Sequence, residues 1–481
     1  MVSLRDARPA ISVARCWSAL MIKVQDTGAE ALYWSSELET KPWLDLERWQ
    51  LERLGRFAVQ LREQSPFFRD HLAGNDVDGF SRNPSPEAFA SLPFVTKAAL
   101  RDAQADASPD TPFGQNQCAP LDAIVQLLSS SGTTSSPLYY ALTRRDAENW
   151  ADGIAQVFYT AGIRPTDIIA HLVALPMVAG GLPYADGLRR VGATLAWLGG
   201  YSTERIIESI PKLHVSAVLA TTSFGLHLAD RRNENGANAA SRLGVQKYLS
   251  GGEPGLGEPE IRKKVSTAWN LSHIREMMGL GDVMSAMWAE CEDESGMHFN
   301  AQRYVYVELV DQETDERVPW TEGARGEAVY TTFDRDAMPV LRYRSADHFV
   351  VLGMSCRCGR TSPKVRCIGR TDDMLIYKGM NVFPSAIREL ILTRFSDVVE
   401  PYIRIWKDKK EQVRFDDPIP VDVEHRRDLE PKRMAAIADA IAVEIRSHFQ
   451  VRVSITLVPP NSIPRATYKT ALVQVRSNVR S

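Results

Sequence analysis

From Ala123 to Leu249 short apolar runs alternate with helical segments, and that alternation restricts the chain to a layered fold. The run Ala123–Leu128 empties into Ser129-Ser130-Ser131-Gly132-Thr133-Thr134-Ser135-Ser136-Pro137. A helical pattern follows from Asp146 to Ala161, with Trp150, Ile154, Val157 and Phe158 on one side. Apolar runs then recur at Ile168–Leu175, Thr194–Leu198, Ala217–Thr221 and Lys247–Leu249, each closed by a Gly-rich or polar turn. Runs without polar alternation are strands covered on both faces, so the pattern predicts an α/β domain. Upstream, Leu46, Trp49, Leu51, Leu54, Phe57, Val59 and Leu61 give a helix over Leu44–His71, interrupted by Ser65-Pro66.

From about Tyr304 the pattern changes. Tyr304–Val310 and Glu327–Thr332 alternate apolar and polar residues, which predicts a β-rich section at about 300–368, read as a small barrel. The polar break Gly369-Arg370-Thr371-Asp372-Asp373 follows. Beyond it, helices are expected at Ser385–Arg394 and Pro431–Phe449 and a strand at Val451–Val458, an α+β piece. The chain of 481 residues is too long for one core. It divides into an extension at 1–40, a large domain at 41–369 and a small one at 370–481.

Composition narrows the partners. A net charge of −3 gives no electrostatic case for nucleic acid or an anionic membrane, and no apolar run reaches the roughly 20 residues of a membrane helix. Ile11 to Val24 carries Arg15 and Lys23 without an acid, the balance of a transit peptide, but it has no continuous apolar core. It reads as an extension without a catalytic role, and the chain as cytoplasmic. Cys16, Cys118, Cys291, Cys356, Cys358 and Cys367 are expected as thiols or metal ligands rather than disulfides.

The Ser129–Pro137 loop has two readings in isolation. Small side chains leave backbone N–H groups free and hydroxyls add donors, which suits a polyphosphate. The same residues also make ordinary polar linkers. The loop is neither a Walker A motif nor a dinucleotide fingerprint.

Its neighbours resolve the choice. Ser65-Pro66-Phe67-Phe68-Arg69, Leu92-Pro93-Phe94-Val95-Thr96-Lys97, Ser130–Thr134, Gly251-Gly252-Glu253-Pro254, Arg342-Tyr343-Arg344-Ser345-Ala346-Asp347, Gly369–Met374 with Gly379–Pro384, and Pro464-Arg465 with Lys469 occur in that order. From about residue 40 onward the chain resembles the adenylate-forming superfamily, and within it the phenylacetate–CoA ligase branch. The resemblance implies a large adenylate-forming α/β domain with a β-rich section and a small, mobile α+β domain. It implies activation of a carboxylic acid by ATP with Mg²⁺ to acyl-AMP, then transfer to CoA. A homodimer is compatible with it.

The resemblance assigns roles by position. Ser130, Ser131, Gly132, Thr133 and Thr134 cradle phosphates, and Gly252, Glu253 and Met278 border the nucleotide. Asp347 accepts the ribose hydroxyls, since a carboxylate can take two such bonds. Arg370 reaches ribose or phosphate oxygens. Asp282 carries the magnesium-binding carboxylate. Lys469 is the adenylating lysine, a point cation between carboxylate and α-phosphate. Asp372 is the pivot of a hinge spanning Arg370–Asp373, and Gly379 lies on the loop that approaches for the second step. The acid sits against Met177, Val178, Ala179, Gly252 and Met277, without a charge for a substrate amino group.

From spacing alone Cys291, His298, Cys356 and Cys358 read as reduced thiols with a hydrogen-bonded histidine rather than a zinc site, because Cys-x-Cys is tighter than usual. The resemblance implies structural zinc.

Three departures stand out. Ser135-Ser136 replaces a glycine and a cation; Met278-Gly279-Leu280-Gly281-Asp282 replaces Tyr-Gly-Leu-Ser/Thr-Glu; Val178 stands where phenylalanine is usual. A smaller, Met-rich wall points to a larger or substituted aromatic acid. The departures keep a second reading open, an adenylating enzyme of secondary metabolism whose acceptor is an amine, a carrier-protein thiol or nitrite. A third, a non-catalytic binding protein, is opposed by the presence of Lys469, Asp347 and Arg370.

Overall fold

The computed structural model describes residues 32–130, 137–173, 177–231, 238–253, 255–378, 380–409, 412–427, 429–465 and 471–476. The expected extension therefore lies outside the described residues up to residue 31. So do Ser131, Gly132, Thr133, Thr134, Ser135, Ser136, Gly379 and Lys469.

A hairpin comes first, β1 (Ile124–Ser129) with β2 (Tyr139–Thr143). A sheet of twelve strands follows. Its parallel half contains β3 (Ile168–His171), β4 (Thr194–Trp197), β5 (Ala217–Ala220), β6 (Lys247–Ser250) and β7 (His273–Leu280). Its antiparallel half contains β8 (Met284–Glu290), β9 (Met297–Phe299), β10 (Val305–Val310), β11 (Arg317–Val318), β12 (Arg325–Thr332), β13 (Tyr343–Gly353) and β14 (Lys364–Arg370). The order is β11-β10-β12-β13-β14-β9-β8-β7-β6-β5-β3-β4.

The expected small barrel is thus replaced by an extension of the parallel sheet, joined through the antiparallel pair β7–β8. Antiparallel pairing begins at Met284, ahead of the expected change at Tyr304. The apolar–polar alternation misled because both faces are covered: every residue of Val305–Val310 is buried, Glu308 included. The strand expected over Ile168–Leu175 ends at His171.

The helix Trp43–Gln64 supplies part of that cover. It buries Leu46, Leu54, Ala58 and Leu61, and Gln50 Nε2 donates to the carbonyls of Gln302 and Val305. Ser65 separates it from the helix Pro66–His71 by accepting from the N–H of Phe68, with Pro66 at the first helical position.

Glu308 is balanced by Arg342. The two pair through Nε–Oε2 at 3.1 Å and Nη2–Oε1 at 3.2 Å, and Arg342 Nη1 donates to the carbonyls of Ala90 and Leu92. Phe94 lies under the guanidinium of Arg342 at 4.0 Å, and Val95 bridges Tyr343. The Leu92–Lys97 and Arg342–Asp347 motifs therefore pack directly on one another.

The C-terminal part has its own sheets. A three-stranded one joins β15 (Leu375–Tyr377), β16 (Met380–Val382) and β18 (Arg414–Phe415). A four-stranded one has the order β20-β19-β17-β21, from β17 (Val399–Lys407), β19 (Ile419–His425), β20 (Val453–Val458) and β21 (Val473–Val475). The helices Pro384–Phe395 and Pro431–Phe449 cover it. Arg388 of this part forms a buried ion pair with Glu258, just ahead of the helix Pro259–Trp269 of the large sheet domain.

Glu308→Ala should cost about 3–5 kcal/mol, because it strands the Arg342 charge in the core. The urea unfolding midpoint reads that loss.

Candidate active site

The C-terminal ends of the parallel strands are where an open α/β sheet offers a crevice. β6 and β7 run parallel with Ser250 opposite Glu276. This sets Gly251-Gly252 beside Met277: a Cβ on Gly251 would lie 3.0 Å from the Met277 carbonyl. The site's first wall is therefore Gly252, Met277 and Met278.

The hairpin brings the phosphate-loop stem to the same place. Ser129 N–H donates to the Met177 carbonyl at 2.8 Å, and Ser129 bridges Val178. Ser130 closes the stem. Its N–H donates to the Leu138 carbonyl at 2.8 Å and its hydroxyl accepts from the Leu138 N–H at 3.1 Å. Val178 and Ala179 are buried while Met177 is exposed. A Cβ on Gly281 would stand 3.1 Å from that of Ala179, so the altered Gly281 faces the expected acyl wall.

Asp282 follows Gly281 and is buried. Tyr343 donates to its Oδ2 at 2.7 Å, and Lys97 Nζ lies 3.3 Å from the same oxygen. Arg335 Nη1 donates to the carbonyls of Asp282 at 2.8 Å and Val283 at 2.9 Å. Burial lowers the guanidinium of Arg335 to about 10.

Asp347 stands four residues beyond Tyr343 on β13. The β13–β14 register sets it opposite Arg370, and the two side chains form an ion pair. Arg370 Nη2 also donates to the Ser345 carbonyl at 3.1 Å, and Ser345 Oγ accepts from the Asp347 N–H at 3.0 Å. The turn Thr371–Asp373 begins immediately after Arg370. His348 Nε2 lies 2.7 Å from Thr371 Oγ1.

Ser130, Met177, Val178, Ala179, Gly252, Met277, Met278 and Asp282 are thus gathered along the strand ends, with Asp347 and Arg370 linked through Tyr343 and β13. Beside Gly252, Glu253 Oε1 accepts from the Ser223 N–H at 2.5 Å and its Oε2 from the Ser223 hydroxyl at 2.9 Å. It satisfies the N-terminus of the helix Thr222–Asp230.

Sequence reading gave no role to Lys97 or Tyr343, although both stand in quoted motifs. It also passed over Glu276. That carboxyl is held by the backbone N–H groups of Gly257 and Gly255, beneath the Gly251–Gly257 loop. Burial, then the Glu290 carboxylate, pushes it up to about 7.

Cys291, His298, Cys356 and Cys358 converge at the far end of β8 and β9. Their ligand atoms all lie within 4.8 Å of one another. The sulfurs of Cys291 and Cys356 are 3.7 Å apart, and Cys358 Sγ is 3.5 Å from His298 Nε2. Tetrahedral zinc with Zn–S near 2.3 Å and Zn–N near 2.0 Å sets such pairs about 3.8 Å and about 3.5 Å apart. His298 Nδ1 lies 3.2 Å from the Ser362 carbonyl, which leaves Nε2 to face the sulfurs.

These features define an adenylate-forming fold with its site at the sheet's switch from parallel to antiparallel. Residues 379–475 match the family model described as the AMP-binding enzyme C-terminal domain. Over 458 residues the chain is 31% identical to a phenylacetate–coenzyme A ligase of Thermus thermophilus, covering 90% of this chain and 97% of that one. The chain therefore belongs to the phenylacetate–CoA ligase family, within the AMP-forming acid–CoA ligases. Among solved structures it resembles 2-hydroxyisobutyryl-CoA ligase. The postadenylation form with R3-HIB-AMP matches with a TM-score of 0.81 and 25% identity over 93% of each chain. The form of that enzyme with 2-HIB-AMP and CoA in the thioesterification state gives 0.66 at 25% identity, again over 93% of each chain.

Glu276→Gln should change the pH dependence of stability. In the unfolded chain the carboxyl titrates near 4.5, in the folded chain at about 7. Between those values the folded state holds the extra proton, so stability falls as pH rises through the window and the loss persists above it. Urea titrations at stepped pH should show a flatter profile for the amide variant between about 4.5 and 7.

Proposed function

We propose that the protein activates an aromatic carboxylic acid with ATP, releasing pyrophosphate, and passes the acyl group from acyl-AMP to the thiol of CoA. The observation that carries this reading is the convergence of the phosphate-loop stem, the Val178–Ala179 wall and the Gly281–Asp282 turn. The full-length likeness to a phenylacetate–coenzyme A ligase supports it.

The reaction joins two anions, so positioning and charge carry most of it. Ser130 to Thr134 cradle the β- and γ-phosphates. Asp347 takes the ribose hydroxyls, and its pairing with Arg370 fixes the carboxylate before the nucleotide arrives. Arg370 is shared with ribose or phosphate oxygens. Lys469 bridges the carboxylate and α-phosphate as charge moves. The acid lies between Met177, Val178 and Ala179 on one side and Gly252 and Met277 on the other. An apolar enclosure of that kind suits an aromatic ring. Arg370–Asp373 then serves as the hinge, with Asp372 as pivot, and Gly379 approaches for thioester formation.

Lys97 and Tyr343 both contact Asp282 at Oδ2. Asp282 would hold Mg²⁺, a hard cation suited to a carboxylate oxygen. The ion supplies charge neutralisation at the phosphates. The Cys291, His298, Cys356 and Cys358 set fits structural Zn²⁺ by donor type and spacing. Its knuckle also holds the chain's first described residues: Tyr33 donates to the Cys358 carbonyl at 2.9 Å, and Arg360 pairs with Glu39 at 2.8 Å.

With a panel of aromatic acids, at least one should give CoA-dependent AMP release and acid-dependent pyrophosphate release. Release of pyrophosphate that CoA leaves unaffected, but an amine or nitrite accelerates, would overturn the acceptor. Lys469→Ala should lower acid-dependent pyrophosphate release by about 100-fold or more, the scale of one lost electrostatic group. Thioester formation from preformed acyl-AMP should survive.

Protein purified without chelator should contain one zinc per chain. Cys358→Ser should lose it and lower the thermal midpoint, since such a metal contributes directly to folding. Metal analysis that finds no zinc would refute the site.

A further inference from the structure

The C-terminal part docks on the large domain through charges collected at one carboxylate. Asp230 ends the helix Thr222–Asp230. It accepts the Tyr402 hydroxyl, pairs with Lys264 Nζ at 2.8 Å and lies 3.7 Å from Arg465 Nε. Lys264, on the helix Pro259–Trp269, also reaches across to Glu400 at 2.9 Å. Arg465 stacks on the Tyr402 ring, 3.3 Å from its centroid.

Arg465 has a second anchor within its own domain. The buried Glu424 accepts its Nη1 and Nη2, both at 2.8 Å. The same carboxylate accepts the N–H groups of Asn461 at 3.2 Å and Ile463 at 2.7 Å. Just beyond residues 466–470, Leu472 accepts from the Ile405 N–H at 2.7 Å, and β21 pairs with β17. The segment carrying Lys469 is therefore flanked by two fixed points. Arg465 is the one that also touches the large domain.

These groups are partly shielded, with side-chain exposures of 29% for Asp230, 25% for Lys264 and 18% for Arg465. Their interaction is stronger than that of a fully solvated pair. Asp230 is the carboxylate the two cations share, Lys264 being paired also with Glu400 and Arg465 with Glu424, so removing its charge loses the link between them. The arrangement is the one nearer the postadenylation form of the solved relative.

We propose that Asp230 is a positioning residue for the adenylation half-reaction. It docks Tyr402 and Arg465, the latter four residues ahead of Lys469 in the chain, on the large domain, and the contact opens when the small domain moves for thioester formation. This rests on the role given to Lys469 above.

The test uses the full-length protein, the aromatic acid that responds best in the panel, and its synthetic acyl-AMP. Acid-dependent ATP–pyrophosphate exchange reads the first half-reaction; thioester formation from acyl-AMP and CoA reads the second. Asp230→Asn should lower exchange at least tenfold and leave thioester formation within twofold. Asp230→Glu should restore exchange to within threefold of the parent. Hydrogen exchange of residues 461–476 should quicken in the amide variant alone. Exchange within twofold of the parent in Asp230→Asn would overturn the proposal. So would equal losses in both half-reactions with a lowered thermal midpoint, which describe a structural role. If Lys469→Ala is inactive in exchange while Asp230→Asn is normal, only this proposal fails. If Lys469→Ala exchanges normally, the Lys469 reading fails, and the proposal with it.

Discussion

Strand β7 pairs parallel with β6 on one side and antiparallel with β8 on the other, and the site depends on that double pairing. The parallel side fixes Met277 and Met278 next to Gly251-Gly252. The antiparallel side forces a tight return after Leu280, which sets Gly281 and Asp282 at the edge of the crevice. The register slips between Met278 and Leu280, and a Cβ on Gly279 would stand 2.1 Å from the Ser285 carbonyl. No side chain fits there, so the bulge and the direction of Asp282 require glycine.

The carboxylates around this return are treated differently by their surroundings. Asp282 and Asp347 each lie beside a cation, Lys97 and Arg370 respectively, and Asp282 also accepts the Tyr343 hydroxyl. Glu276 has backbone N–H donors but another carboxylate, Glu290, as its near neighbour. Glu290 is itself held by Arg262, with both of its oxygens on Nη2. Glu276 is held up at about 7 by burial and by the Glu290 carboxylate.

Much of this was legible from the sequence, for particular reasons. Helix Pro431–Phe449 and the parallel strands follow from periodicity and turn residues, signals local to a few residues. The grouping of Asp282, Asp347 and Arg370 was legible only because ordered motifs imply a known fold. What failed was local pattern in a covered environment. Val305–Val310 alternates as if half-exposed, yet Glu308 is buried because Arg342, far along the chain, neutralises it. Lys97 and Tyr343 escaped for a related reason: each acts through a contact on Asp282 that has no spacing signature. Glu253 also has a contact with no spacing signature, its carboxylate accepting from Ser223 at the start of a helix.

The joint between the domains combines apolar packing with ion pairs. One hydrophobic cluster runs from Phe224, Leu226, Ile261 and Val265 of the large domain into Leu375, Ile387 and Ile391 of the small one. Apolar contact alone is non-directional and would hold many nearby orientations. Glu258–Arg388 and the Asp230 hub select one of them, because paired charges are strong only when aligned. Their net contribution to holding the joint closed stays small, since each charge regains its hydration on separation and loses it on docking. The ion pairs therefore supply orientation at little cost to reversibility, which a wider apolar interface could not do.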